Sequence, residues 1–182
     1  MKKGEMLIIV FVIAPLIMAA FLMADGLRVG IDAPFFNIRS GDDEQLTLDI
    51  VKGKIIVIFY ETKDVSEKNR KLKSELNKSY HELTDTQKTS IVRLPVINCS
   101  SAFWPISEIW KSKLRENTKK EGLTIFGDWD GKMLSAYRMK GKESNFVIVD
   151  KKGIIRYFFS GKIEDNEIAK IKGLLKELIY ER

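Results

Sequence analysis

The sequence predicts an α/β fold, a central mixed sheet flanked by helices, and three features carry that reading. Ile55–Tyr60 (IIVIFY) is an unbroken run of β-branched and aromatic residues. That is the pattern of a strand buried on both faces of a sheet, and it breaks at once into a charged helical stretch. Ile91–Asn98 (IVRLPVIN) reads as the next strand. Phe146–Val149 and Ile154–Phe159 then flank Asp150-Lys151-Lys152-Gly153, a four-residue turn closing on glycine and hence a hairpin, and an amphipathic helix over 165–180 closes the chain.

Composition bounds the rest. With 182 residues, 45% apolar and 31% charged, the chain has the make-up of one globular domain large enough for a real core. Its net charge of +6 is mildly basic, but Lys68, Lys71, Lys73 and Lys78 alternate with Glu75 and Glu82. Such interleaving describes a solvated helix face and not a stripe for nucleic acid, so no nucleic-acid partner is expected. The one cysteine, Cys99, excludes an intramolecular disulfide and a multi-cysteine zinc site. The one histidine, His81, falls late in a helical pattern, where a surface position is expected, so no metal site is predicted.

The chain opens on Lys2 and Lys3, followed by apolar residues from Met6 to Ala24 interrupted only by Pro15. A run of this length nearly matches a bilayer core of about 30 Å, so residues 1–24 read as a signal peptide or a membrane anchor, with a domain over 25–182. In both cases the positive end stays inside and the domain is expected in the periplasm, soluble after cleavage or held to the inner membrane through residues 6–24. No cysteine stands near Ala24 to carry a lipid.

Between leader and first core strand, Val29–Phe36 and Leu46–Leu48 suggest two short strands around a turn at Ser40–Asp43, an N-terminal β extension. After the core strand, Asp64 with Glu67 three residues on has the form of a capping box, and Val65, Leu72, Leu76, Tyr80 and Leu83 make one apolar helix face. Pro95 lacks a ladder donor, which predicts an edge position or a bulge for the second strand. Phe103-Trp104-Pro105 leads into a helix over 106–120 with Ile106, Ile109, Trp110 and Leu114 inward, and the aromatic pair reads as core. Gly122 ends that helix, Leu123–Phe126 is a short strand, and Met133–Met139 is helical or irregular.

Two stretches carry a resemblance: Thr62-Lys63-Asp64-Val65-Ser66-Glu67-Lys68-Asn69 after the core strand, and Arg138–Gly153 (RMKGKESNFVIVDKKG) into the hairpin. With the leader and the element order, they make the chain resemble the YtfJ family, an exported bacterial branch of the thioredoxin-like, peroxiredoxin-like superfamily. The resemblance implies a periplasmic thioredoxin-like domain and supplies no catalytic residue. In that superfamily the strand-to-helix corner holds a Cys-x-x-Cys motif, and here it holds Asp64 to Glu67. The cis-proline that precedes the hairpin strand falls near Glu143-Ser144, where no proline stands, so a trans peptide is expected.

The expected function is therefore a redox-inactive binding module without a cofactor. Its partner, another periplasmic or membrane protein, would lie in a groove between Glu61–Glu67 and Lys142–Asn145, and Asp64, Glu67, Glu143, Ser144 and Asn145 are the candidate binding residues. The competing expectation is a one-cysteine peroxidase or thiol-transfer enzyme using Cys99, which stands at a strand end where α/β sheets place their sites. That chemistry needs an accessible thiolate.

Overall fold

A computed structural model of the chain describes residues 27–181. The leader expected over residues 1–24 lies outside them. Among the described residues no helix is long and apolar enough to cross a membrane.

The expected fold class holds. One sheet of seven strands runs in the order β2-β1-β5-β4-β3-β6-β7, where β1 is Asn37–Ser40, β2 Gln45–Thr47, β3 Ile55–Glu61, β4 Ile91–Asn98, β5 Phe126–Asp128, β6 Asn145–Val149 and β7 Ile155–Ser160. β3, β4 and β5 are parallel, β6 is antiparallel to β3, and β7 is antiparallel to β6. Helices α1 (Arg70–His81), α2 (Asp85–Thr89), α3 (Ile106–Glu121), α4 (Lys132–Ala136) and α5 (Asp165–Tyr180) connect and cover the strands.

Alternation along β3 divides the interior. Ile56, Ile58 and Tyr60 face a core shared with Phe36, Val147, Met133 and Tyr137. Ile55 and Val57 face the opposite core, built with Leu72 of α1 and Ile168, Ile171 and Leu178 of α5. Both faces of β3 are thus covered, which is why its sequence is apolar without alternation.

Several elements differ from expectation for identifiable reasons. The first entry strand is Asn37–Ser40 and not Val29–Phe36. The earlier segment lies instead along the start of β7, with Gly30 N–H donating to Ile155 O at 2.8 Å and Ala33 N–H to Gly153 O at 2.8 Å. β4 is interior, against the edge position expected from Pro95. Its pairing with β5 begins only at Val96, so that flank of the strand is still open where the donor is missing. The third parallel strand, β5, is shifted to Phe126–Asp128.

The first long helix starts at Arg70, and Asp64 belongs to a 3-10 turn over Lys63–Val65 without a side-chain cap. The capping box that does form is Thr84 with Gln87 at the start of α2. Phe103 and Trp104 are not core: they are 72% and 78% exposed, and Ile106 and Ile109 on α3 are exposed as well. Leu114 is buried as expected, His81 is on the surface, and Gly122 caps α3 at φ 62°.

Candidate functional site

The carboxyl ends of β3, β4 and β5 form one rim of the sheet, the end at which open α/β sheets bind ligands. On the α1 side of β3 this rim is built around Glu61. Strand parity turns Glu61 toward α1 at 4% exposure, and a carboxylate there requires partners. Lys73, one turn into α1, donates to its Oε2 at 2.6 Å, and Ser144 Oγ donates to its Oε1 at 2.6 Å. Lys73 Nζ also donates to Ser66 O at 2.6 Å, tying the corner loop to the same ammonium. Burial pushes the Glu61 carboxyl above its ordinary value, outweighing the downward pull of the Lys73 ammonium and the Ser144 hydroxyl.

Asn69 closes the corner. Its Nδ2 donates to Ser144 Oγ at 2.9 Å and to Gly161 O at 2.8 Å, while its Oδ1 accepts from Ile163 N–H at 2.8 Å. The side chain is therefore committed to two other segments, the loop before β6 and the loop after β7, and caps no N–H of α1. Asn145 does the same for the facing loop. Its Oδ1 accepts from Lys140 N–H at 2.9 Å, and its Nδ2 donates to Lys140 O at 2.9 Å, Glu143 O at 3.0 Å and, across to β3, Tyr60 O at 3.3 Å. Lys68 and Glu143 form an ion pair above them. The two sequence stretches singled out earlier are thus bonded to one another, Lys68 to Glu143 and Asn69 to Ser144.

The candidate residues separate by depth. Asp64 and Glu67 are exposed on the corner, Glu67 with Arg70 at 3.9 Å, and Glu143 is half-buried beside Lys68. Ser144 and Asn145 have no exposed surface, so their side chains shape the loop from behind. The only cis peptide among the described residues is Trp104–Pro105, in the connection between β4 and α3, so none stands at Glu143-Ser144.

On the opposite face of the sheet Tyr60 Oη donates to Asp128 Oδ2 at 2.9 Å, and Leu134 N–H donates to the same oxygen at 3.0 Å. Cys99 lies against this pair, its N–H donating to Asp128 O at 3.0 Å. The Cys99 side chain is 0% exposed, and burial, aided by the Asp128 charge, pushes its thiol up to about 12. A Cβ on Gly127 would stand 2.8 Å from the Trp129 ring and 3.0 Å from Cys99 Sγ, so glycine is what lets these side chains close over the thiol. Among the described residues no three His, Cys, Asp or Glu side chains converge as a metal site.

Sequence reasoning reached the corner and the facing loop but missed the centre of the network. Glu61 ends an apolar run at a parity that faces a helix, a legible signal for a buried carboxylate. The partner roles of Asn69 and Asp128 depend on contacts distant in sequence and had no local signature.

The bacterial family YtfJ_HI0045, described as of unknown function, matches residues 41–178. The chain belongs to this family. Comparison with curated proteins gives no match. Among solved structures, a candidate protein disulfide isomerase from Bacteroides thetaiotaomicron is similar at TM-score 0.63 and 19% identity, over 85% of this chain and 92% of that one. A candidate thiol:disulfide interchange protein DsbE from Chlorobium tepidum is similar at TM-score 0.61 and 11% identity, over 84% and 99%. The exposed lipoprotein thioredoxin of Streptococcus pneumoniae is similar at TM-score 0.56 and 19% identity, over 79% and 99%. At these identities the likeness is one of fold, and the fold is thioredoxin-like.

Proposed function

We propose that this chain is an exported, redox-inactive thioredoxin-like module that holds a protein partner at the rim, with Asp64, Glu67 and Glu143 touching the partner and Ser144 and Asn145 positioning the loop. The observation that carries the reading is the corner itself. Where relatives of this fold place a dithiol, this chain has carboxylates, and the loop behind them is fixed by Glu61, Lys73, Asn69 and Ser144. Rigid, fully bonded loops with a charged outer surface suit recognition. Thiol exchange by contrast needs an exposed sulfur of lowered pKa, and Cys99 is the reverse on both counts.

Export rests on the leader-like residues 1–24 and on the likeness to DsbE and to an exposed lipoprotein thioredoxin. Residues 6–24 would hold the domain at the inner membrane if they remain attached, and the partner would then be a periplasmic or membrane protein.

The test is disulfide-reductase and peroxidase turnover by the chain beside its Cys99→Ser variant. No turnover above the uncatalysed rate is expected from either. Turnover that disappears in the variant would make this a one-cysteine enzyme and sink the proposal.

A further inference from the structure

The end of the sheet opposite the rim carries exposed apolar and basic side chains that the proposed reading does not use. The entry segment lies there along β7, with Gly30 N–H donating to Ile155 O and Ala33 N–H to Gly153 O. Val29 and Ile31 on that segment are 60% and 45% exposed. Exposed Tyr180 stands at the same end, because Lys151 of the β6–β7 turn donates to Ile179 O and to Glu181 O. Lys52 and Lys54, both exposed, lead directly into Ile55 at the start of β3. We propose that this end of the domain docks on the anionic phospholipid surface of the bilayer that residues 6–24 enter, an inference that rests on their staying attached to the domain.

Chain length brings the two surfaces together. Gly30, already bonded to β7, is the sixth residue after Ala24, where the apolar run ends. Six residues extend at most about 21 Å, and the headgroup layer takes up about 5–8 Å of that. With residues 6–24 in the hydrocarbon core, the entry segment is held within about 16 Å of the headgroups. That confinement makes docking an intramolecular event, so modest attraction is enough.

Charge and side-chain type match the surface that is brought near. Arg156 takes up Asp150 at 3.0 Å and Glu181 at 3.2 Å. Arg28, Lys52, Lys54, Lys151 and Lys152 then stand against Asp32 and Asp49, a basic excess. Lys52 and Lys54 have no ion-pair partner among the described residues. The exposed carboxylates Asp64 and Glu67 are at the other end of β3, turned away from the lipid. Lysines beside exposed valine, isoleucine and tyrosine suit a headgroup layer, which neutralises the ammonium groups and takes up the apolar tips. A second copy of the same face would add further basic excess and neutralise none.

The experiment uses the full chain in a Cys99→Ser background, reconstituted into phosphatidylglycerol–phosphatidylcholine vesicles with nitroxide-labelled headgroups. A bimane on Val29→Cys reports this end, and a bimane on Lys63→Cys reports the rim. Strong headgroup quenching is expected at Val29→Cys and little at Lys63→Cys. Reach alone could produce that difference, so lipid charge decides. Using phosphatidylcholine alone, or combining Lys52→Gln with Lys54→Gln, is expected to lower the ratio of docked to undocked domain about tenfold. Quenching at Val29→Cys that is indifferent to both changes would mean a tether without docking and would overturn the proposal. Shielding of that reporter from aqueous iodide that follows protein concentration and not lipid charge would mean a second copy, and would overturn it equally. Recovery of the chain from cells only in a soluble form cleaved near Ala24 would remove the attachment and the proposal with it, leaving the redox-inactive rim reading untouched. All substituted surface positions are exposed, and unchanged far-ultraviolet dichroism of each variant verifies the fold.

Discussion

At Glu61 two physical effects of opposite sign meet on one carboxylate. A neighbouring ammonium ordinarily lowers a carboxyl pKa, but burial acts on Glu61 more strongly and raises it. A raised folded-state pKa contributes stability that is full below the unfolded value and is lost as pH rises through the folded one. Glu61→Gln, which cannot ionise, lacks that term. The stability of the native chain relative to Glu61→Gln is therefore expected to grow as pH falls from 8 toward 5, read from urea unfolding at each pH. A difference that grows with rising pH would mean that Lys73 outweighs burial. Cys99 gives a second residue-scale expectation. With its thiol pushed up to about 12 and no exposed surface, it should resist iodoacetamide at pH 8 while folded and react once urea unfolds the chain. Rapid labelling of the native protein would reject the burial described here. Parity along β3 signals the burial of Glu61, but the sign of its shift and the burial of Cys99 could not be read from neighbours in sequence, because the groups that desolvate and pair with them come from elements distant along the chain.

Elements were legible where one local signal acted alone and shifted where tertiary bonds competed with it. The hairpin, the closing helix and the Gly122 stop follow from turn chemistry and periodicity and stand as read. The start of α1 moved from Asp64 to Arg70 because Asn69 is held outside helical geometry by its bonds to Ser144, Gly161 and Ile163. The inward face of α3 was overcounted for a different reason: a helix with apolar residues on more than one side cannot say which side has a neighbour. The β1–β2 turn supplies part of that neighbour. Arg115 donates to Gly41 O at 2.6 Å, and a Cβ on Gly41 would stand 2.5 Å from Lys111 O and 2.9 Å from Arg115 Cγ. Gly41→Ala must push the turn off α3 and is expected to cost about 1–3 kcal/mol. An unchanged urea midpoint in that variant would show that the two elements are not packed as tightly as this.

Across the whole molecule the sheet has two ends of different chemistry. One is the rim, with the Glu61 network, the exposed carboxylates and the aromatic patch. The other is the β6–β7 turn, where Ile31 accepts from Ile155 N–H at 2.9 Å and where Lys151 donates to Ile179 O at 3.1 Å at the end of α5. At about 3.3 Å per residue, the seven residues of β3 separate these ends by roughly 23 Å. The family and fold were accessible from element order and two short stretches, whereas this polarity was not, since it depends on where the entry segment docks. It has a practical side. Both ends of the described residues, 27 and 181, leave the domain beside the same turn, so a surface that grips the domain by an attachment made directly at either of these positions should present one and the same face to solution. That face is the rim.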